Sequence, residues 1–204
     1  MENIKKKRKL NLLTVVGVIM IVVGLGIVAY DVGTKYFDRR SQQQELQDFM
    51  NAPLLNDDGE LPTEGVDVNV WGTIQIDKLG VNHLIAKTND WNYLSRYVVA
   101  WESSPNPPAK GNFAIAGHNG NCASCVFRDF DKLEIGDEVK LNDKTSTFVY
   151  EITDIFTVDA TDVSVLNDTP DEATITLVTC KEQMTNDPNR VIVKGRLVNT
   201  IPNT

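Results

Sequence analysis

The sequence predicts an all-β domain, a barrel or a sandwich, carried behind one N-terminal membrane-spanning helix. Three observations predict it. Residues 11–30, NLLTVVGVIMIVVGLGIVAY, are twenty positions without a formal charge. From Val68 onward the chain breaks into short β-branched and aromatic runs separated by Gly, Asn and Asp, the texture of a many-stranded fold. Helical signal in this second part is confined to two short stretches, Trp91–Tyr97 and Phe127–Leu133.

The apolar segment is long enough to span a bilayer. At about 1.5 Å per residue, twenty helical residues cover a hydrocarbon core of about 30 Å. Lys5, Lys6, Lys7, Arg8 and Lys9 stand directly before it. Positive flanks stay in the cytoplasm, so the remainder is expected outside the cell. A cleavable signal peptide would be shorter and would end at small residues in an A-x-A-like pattern. Here the run ends Ala29-Tyr30-Asp31-Val32-Gly33, which favours an uncleaved single-pass anchor. The expected division is a cytoplasmic basic segment (1–10), the anchor (11–30), a linker or stalk (31–66) and an exported domain (67–204). Within the stalk, Ser41–Met50 suggests a short helix with Leu46, Phe49 and Met50 on one face. The following NAPLLNDDGELPTEG reads as loop.

Charge excludes one class of partner. The net charge is -8, and residues 1–40 carry eight Lys/Arg against three acids. That surplus of +5 leaves -13 on the rest. A body so acidic repels phosphates, so no nucleic-acid partner is expected.

Seven strands are expected: Trp71–Ile76, His83–Ala86, Asn112–Ala116, Glu138–Leu141, Thr147–Thr157, Ala173–Thr179 and Val191–Val198. The alternation is clearest in Phe148-Val-Tyr-Glu-Ile-Thr-Asp-Ile-Phe156.

Three residues stand where chemistry would need them. Cys180 ends the β-branched run Ala173-Thr-Ile-Thr-Leu-Val-Thr-Cys180, just before the polar loop Lys181–Asn189. Arg190 opens the next strand, so a hairpin would bring its guanidinium beside the thiol. A cation there favours thiolate and can donate to a developing oxyanion. His118 follows an apolar run and Gly117; a thiol needs such a base to serve as a nucleophile near neutral pH. Taken singly, Cys180 reads as a buried structural thiol and Arg190 as a solvated edge charge. His83, in the middle of a strand run, reads as a packed or solvated strand residue.

These segments together resemble the sortase family. Thr176-Leu-Val-Thr-Cys180 is similar to the TLxTC signature, and Ala116-Gly-His118 to the family's histidine segment. Gly72-Thr-Ile-Gln-Ile76 and Phe130-Asp-Lys-Leu-Glu-Ile-Gly-Asp137 extend the likeness, which runs from about Trp71 to Leu197. The resemblance implies a closed eight-stranded β-barrel with short helices. It implies a cysteine transpeptidase that cleaves an LPxTG-type sorting signal between Thr and Gly. The surface protein then passes through a thioester to an amine of the peptidoglycan precursor. Cys180 would be the nucleophile, His118 the acid/base and Arg190 the oxyanion stabiliser. Thr179 and Ala116 would contact substrate, and the Asp159–Glu172 connection would wall the groove for the Leu-Pro part of the signal. No metal or cofactor is expected. Asn89-Asp90-Trp91 lacks the proline of the lid motif of pilus-building sortases, which favours a general anchoring enzyme of class A type. A pilus-assembly or class D or E enzyme is the alternative within the family. Outside it stand an L,D-transpeptidase and an exported metal-binding β-domain without turnover.

Cys122-Ala-Ser-Cys125 lies outside the family pattern. A local disulfide bracing the loop after His118 is expected in an oxidising space, leaving Cys180 as the free thiol. Two free thiols, or a zinc site built with His118 and Cys180, are the other readings.

Overall fold

The computed structural model describes residues 12–51, 69–122, 124–183 and 186–203. The basic segment, Asn11 of the anchor and residues 52–66 of the expected stalk lie outside the described residues.

One helix, α1, runs unbroken over Leu12–Asn51. The sequence reading placed a stalk from residue 31 with a separate helix near residue 41; the chain instead stays helical between them. No proline interrupts residues 31–41, and an i,i+4 ion pair at 2.9 Å joins Lys35 to Asp31. Residues up to Asp38 and residues from Arg39 form two compact units. The first is long and apolar enough to cross a membrane, and most of its described Leu, Ile and Val side chains are exposed. In the second unit the end of α1 buries Leu46 and Phe49 against Leu84, Ala86 and Tyr97. Arg96 fixes it there by donating to both carboxylate oxygens of Glu45.

The second unit is a closed barrel of eight strands. They are β1 (Val70–Ile76), β2 (Val81–Lys87), β3 (Val98–Ala100), β4 (Gly111–Ala116), β5 (Glu138–Asn142), β6 (Ser146–Asp159), β7 (Ala173–Cys180) and β8 (Asn189–Pro202). Their order around the barrel is β1-β2-β3-β4-β7-β8-β6-β5. Closure removes every exposed edge. The pairs β2–β3 and β4–β7 are parallel, and the others are antiparallel. The two expected helices are each a single 3-10 turn, Trp91–Ser95 and Phe130–Lys132. Strand β3, absent from the sequence reading, has only three residues, all buried.

Alternation along β4, β7 and β8 sorts their side chains. Ile115, Ile175, Leu177 and Val193 point into the core. Ala116, Val178, Cys180, Arg190 and Ile192 share the opposite parity and therefore the outer face. That face carries the site.

Candidate active site

Cys180 is the last residue of β7 and Arg190 the second of β8, and their Cα atoms are register partners. Cys180 is the free thiol among the described cysteines and is half-buried. The Arg190 Nη1 donates to the carbonyls of Asp187 (2.6 Å) and Asn189 (2.9 Å). One end of the guanidinium is thus held by the loop, and its remaining N–H groups are left for other acceptors.

His118 reaches the same barrel end by a different route. The parallel register Ala116↔Val178 continues through a 3.0 Å hydrogen bond from Gly117 N to Val178 O. His118 therefore follows at the level of Cys180, and it is exposed. Gly117 has no room for a side chain, because a Cβ would meet Phe127 at 2.5 Å. Phe127 in turn donates its N–H to His118 O at 3.2 Å, so the loop returns to the residue from which it departed. The structure thus brings His118, Cys180 and Arg190 to one end of one face.

Two residues that the sequence did not single out hold this arrangement. Asn119 Nδ2 donates to Cys180 O (2.9 Å) and Lys181 O (3.1 Å), joining the histidine turn to the end of the cysteine strand. Asp187 is buried at 3% exposure, and its carboxylate accepts from the backbone N–H groups of Glu182 and Asn189. The Glu182 amide, followed by that of Asn189, keeps its carboxyl below the usual carboxylate range. Asp187-Pro188-Asn189 carried a turn signal, but nothing in it pointed to Arg190.

Thr179, expected to contact substrate or to lend a supporting hydroxyl, ends up beside the histidine strand. Its parity turns it into the barrel, its exposure is 2%, and its hydroxyl donates to Gly117 O at 2.8 Å. It supports the strand end before His118. Ala116 lies on the outer face, in an apolar groove of about 300 Å³ shared with Val178, Arg190, Ile192, Trp91 and Leu166. The β6–β7 connection forms one wall of this groove. Asn112, buried at 4% exposure, ties that wall to β4: its Nδ2 donates to Val165 O and Asn167 O, and its Oδ1 accepts from Thr176.

Cys122 and Cys125 form a disulfide, which occupies the two sulfurs that the zinc reading required. Among the described residues no cluster of His, Cys, Asp and Glu has metal-ligand geometry. His83 faces a second cavity, of about 210 Å³, lined also by Glu45, Tyr97 and Arg128. Its Nδ1 lies 3.2 Å from Leu84 O, and its buried Nε2 has no partner among the described residues.

The family profile described as the Sortase domain matches residues 74–198. The chain belongs to the sortase family. Sortase A of Listeria monocytogenes is 35% identical over 132 residues, covering 64% of this chain and 58% of that relative. The alignment therefore spans little more than half of that relative's length. The crystal structure of Listeria monocytogenes sortase A has a TM-score of 0.61 at 31% identity, covering 67% of this chain and 92% of that one. A Clostridium perfringens sortase D5 transpeptidase has a TM-score of 0.58 at 30% identity, covering 82% of this chain and 99% of that one. The matched sortase domain includes His118, Cys180 and Arg190.

Proposed function

We propose that this sortase is a membrane-anchored cysteine transpeptidase acting on LPxTG-type sorting signals, with its barrel outside the cell. The reading is carried by the pairing of Cys180 with Arg190 on an outer face that His118 also reaches. Residues 1–10 form the cytoplasmic segment, 11–30 the anchor, 31–66 the linker and 67–204 the catalytic domain.

The Cys180 thiolate attacks the carbonyl carbon of the signal's Thr. Arg190 N–H groups stabilise the oxygen as it becomes an oxyanion. The C–N bond to Gly breaks, and the His118 imidazolium gives its proton to the departing amine. The surface protein is now a thioester on Cys180. An amine of the peptidoglycan precursor attacks that carbonyl, and His118 takes its proton. The Cys180 thiolate leaves, and a new amide has formed. The groove beside Ala116 and Val178 holds the Leu-Pro part of the signal, with the β6–β7 connection as its wall. No step needs a metal or a cofactor.

The test is incubation of the full chain in detergent with an LPxTG peptide and a small amine, followed by mass spectrometry. The expected products are the peptide truncated after Thr and its amide with the added amine. Intact peptide after prolonged incubation would overturn the reading.

A further inference from the structure

The groove beside Arg190 has an aromatic wall to which the proposed chemistry assigns no role. Trp91 opens the 3-10 turn after β2, and Trp101 follows β3. Their rings meet edge to face with centroids 4.9 Å apart. Both line the apolar groove, whereas the third tryptophan, Trp71, packs against Phe113 at the core. Trp91 is 42% exposed, so much of a large apolar ring faces water at the rim. The backbone around the pair is tied down. Asp90 accepts from Asn92 N, and Asn89 Nδ2 donates to Glu102 at 2.6 Å, joining the segments on either side of the rings.

The register measures the distance of this wall from the thiol. Trp101 N donates to Ala114 O at 3.1 Å, and Ala114 is the partner of Thr176. Thr176 stands four residues before Cys180 on the same strand. At about 3.3 Å per residue the Trp101 backbone stands roughly 13 Å short of Cys180 along the strand direction. An extended peptide whose first acyl residue is at Cys180 brings its fifth residue to that level. The acyl fragment stays on Cys180 through both steps, so contacts with it serve cleavage and transfer alike.

We propose that Trp91 and Trp101 are specificity-determining residues that contact an apolar side chain immediately N-terminal to the LPxT segment. The proposal rests on the transpeptidase reading and extends recognition by one residue before the Leu of the signal. The flat, partly exposed Trp91 ring gives an aliphatic or aromatic side chain a surface to cover. A serine there would gain nothing from it.

The full chain in detergent would be assayed with peptides X-Leu-Pro-x-Thr-Gly, where X is Leu, Phe, Ser or Lys. The wild type is expected to prefer Leu or Phe over Ser by about tenfold in kcat/KM, the range a single apolar contact supplies. Trp91→Ala should bring the Leu and Ser peptides to within about twofold of each other by raising KM for Leu. Trp91→Phe should restore most of the preference. The readout is the Leu/Ser ratio, so a loss common to every peptide in Trp91→Ala does not enter it. A Leu/Ser ratio that is flat in the wild type, or equal in wild type and Trp91→Ala, overturns the proposal and leaves the Cys180 reading standing. A wild-type enzyme that cleaves no peptide of the series overturns both.

Discussion

Cys180 and Arg190 are cross-strand partners at the loop end of the β7–β8 hairpin, and Arg190 is steadied by loop carbonyls rather than by a carboxylate. Its charge is therefore not neutralised by an ion pair among the described residues. On the proposed mechanism, Cys180→Ala should lower cleavage and transfer by ~10⁴-fold or more. Arg190→Lys should cost about 10²–10³-fold in kcat, because an ammonium cannot reproduce the planar array of donors. Single-turnover kinetics with an LPxTG peptide measures both. Near-normal rates for Arg190→Lys would reduce Arg190 to a background charge.

The two histidines should separate cleanly. His118 is exposed at the Cys180 end, whereas His83 faces another cavity. His118→Ala should lose about 10²–10⁴-fold in kcat, the usual contribution of a general acid/base, and His83→Ala should change kcat little. Equal losses would remove the support for His118.

Asn119 bridges the turn after His118 to the Cys180 carbonyl, so its effect should be on geometry. Asn119→Ala is expected to reduce kcat by about ten- to a hundredfold with KM nearly unchanged, as for a small misplacement of reacting groups. A change confined to KM would assign Asn119 to substrate binding.

Much of this arrangement was legible before folding. Cys180 at the end of a β-branched run and Arg190 at the start of the next could be read along the chain, because a hairpin makes sequence neighbours into spatial neighbours. His118 could be placed there only through its resemblance to a family, since β4 meets β7 through a parallel pairing some sixty residues apart in sequence. The three residues of β3 are too few to show a period of two. The same brevity hid Trp101, whose place in the groove depends on that strand. The TLxTC resemblance suggested a supporting hydroxyl at Thr179, but the direction of its side chain follows from the pleat, which sends adjacent residues to opposite faces.

The Cys122–Cys125 disulfide closes a four-residue turn between His118 and Phe127. Loop-closure entropy for so short a ring stabilises by only about 2 kcal/mol. The larger effect should fall on His118, whose carbonyl is held by Phe127 just beyond the cross-link. The Cys122→Ser/Cys125→Ser variant should melt only slightly earlier yet lose several-fold in kcat. Thiol titration of unfolded, unreduced wild type should find one reactive group, Cys180; three would mean that the bridge does not form.

His83 should make the barrel sensitive to mild acid. Burial is the chief cause holding its imidazole below the ordinary value of 6.5, against smaller opposing effects of the Leu84 carbonyl and Glu45. A histidine depressed in the folded state is kept neutral there, while the unfolded chain takes up a proton first as the pH falls. Above about pH 6.5 both states are neutral, and His83 adds no pH dependence. Below it, protons favour the unfolded chain, and stability declines until the folded-state value is reached. The denaturation midpoint of the wild type should therefore fall between pH 7 and pH 5 (roughly the window over which an ordinary histidine titrates), and His83→Gln should flatten that slope. The comparison is of slopes, so an overall loss of stability in the variant does not obscure it. Parallel curves for the two proteins would show that His83 is protonated equally in both states and that its cavity is wet enough to solvate the charge.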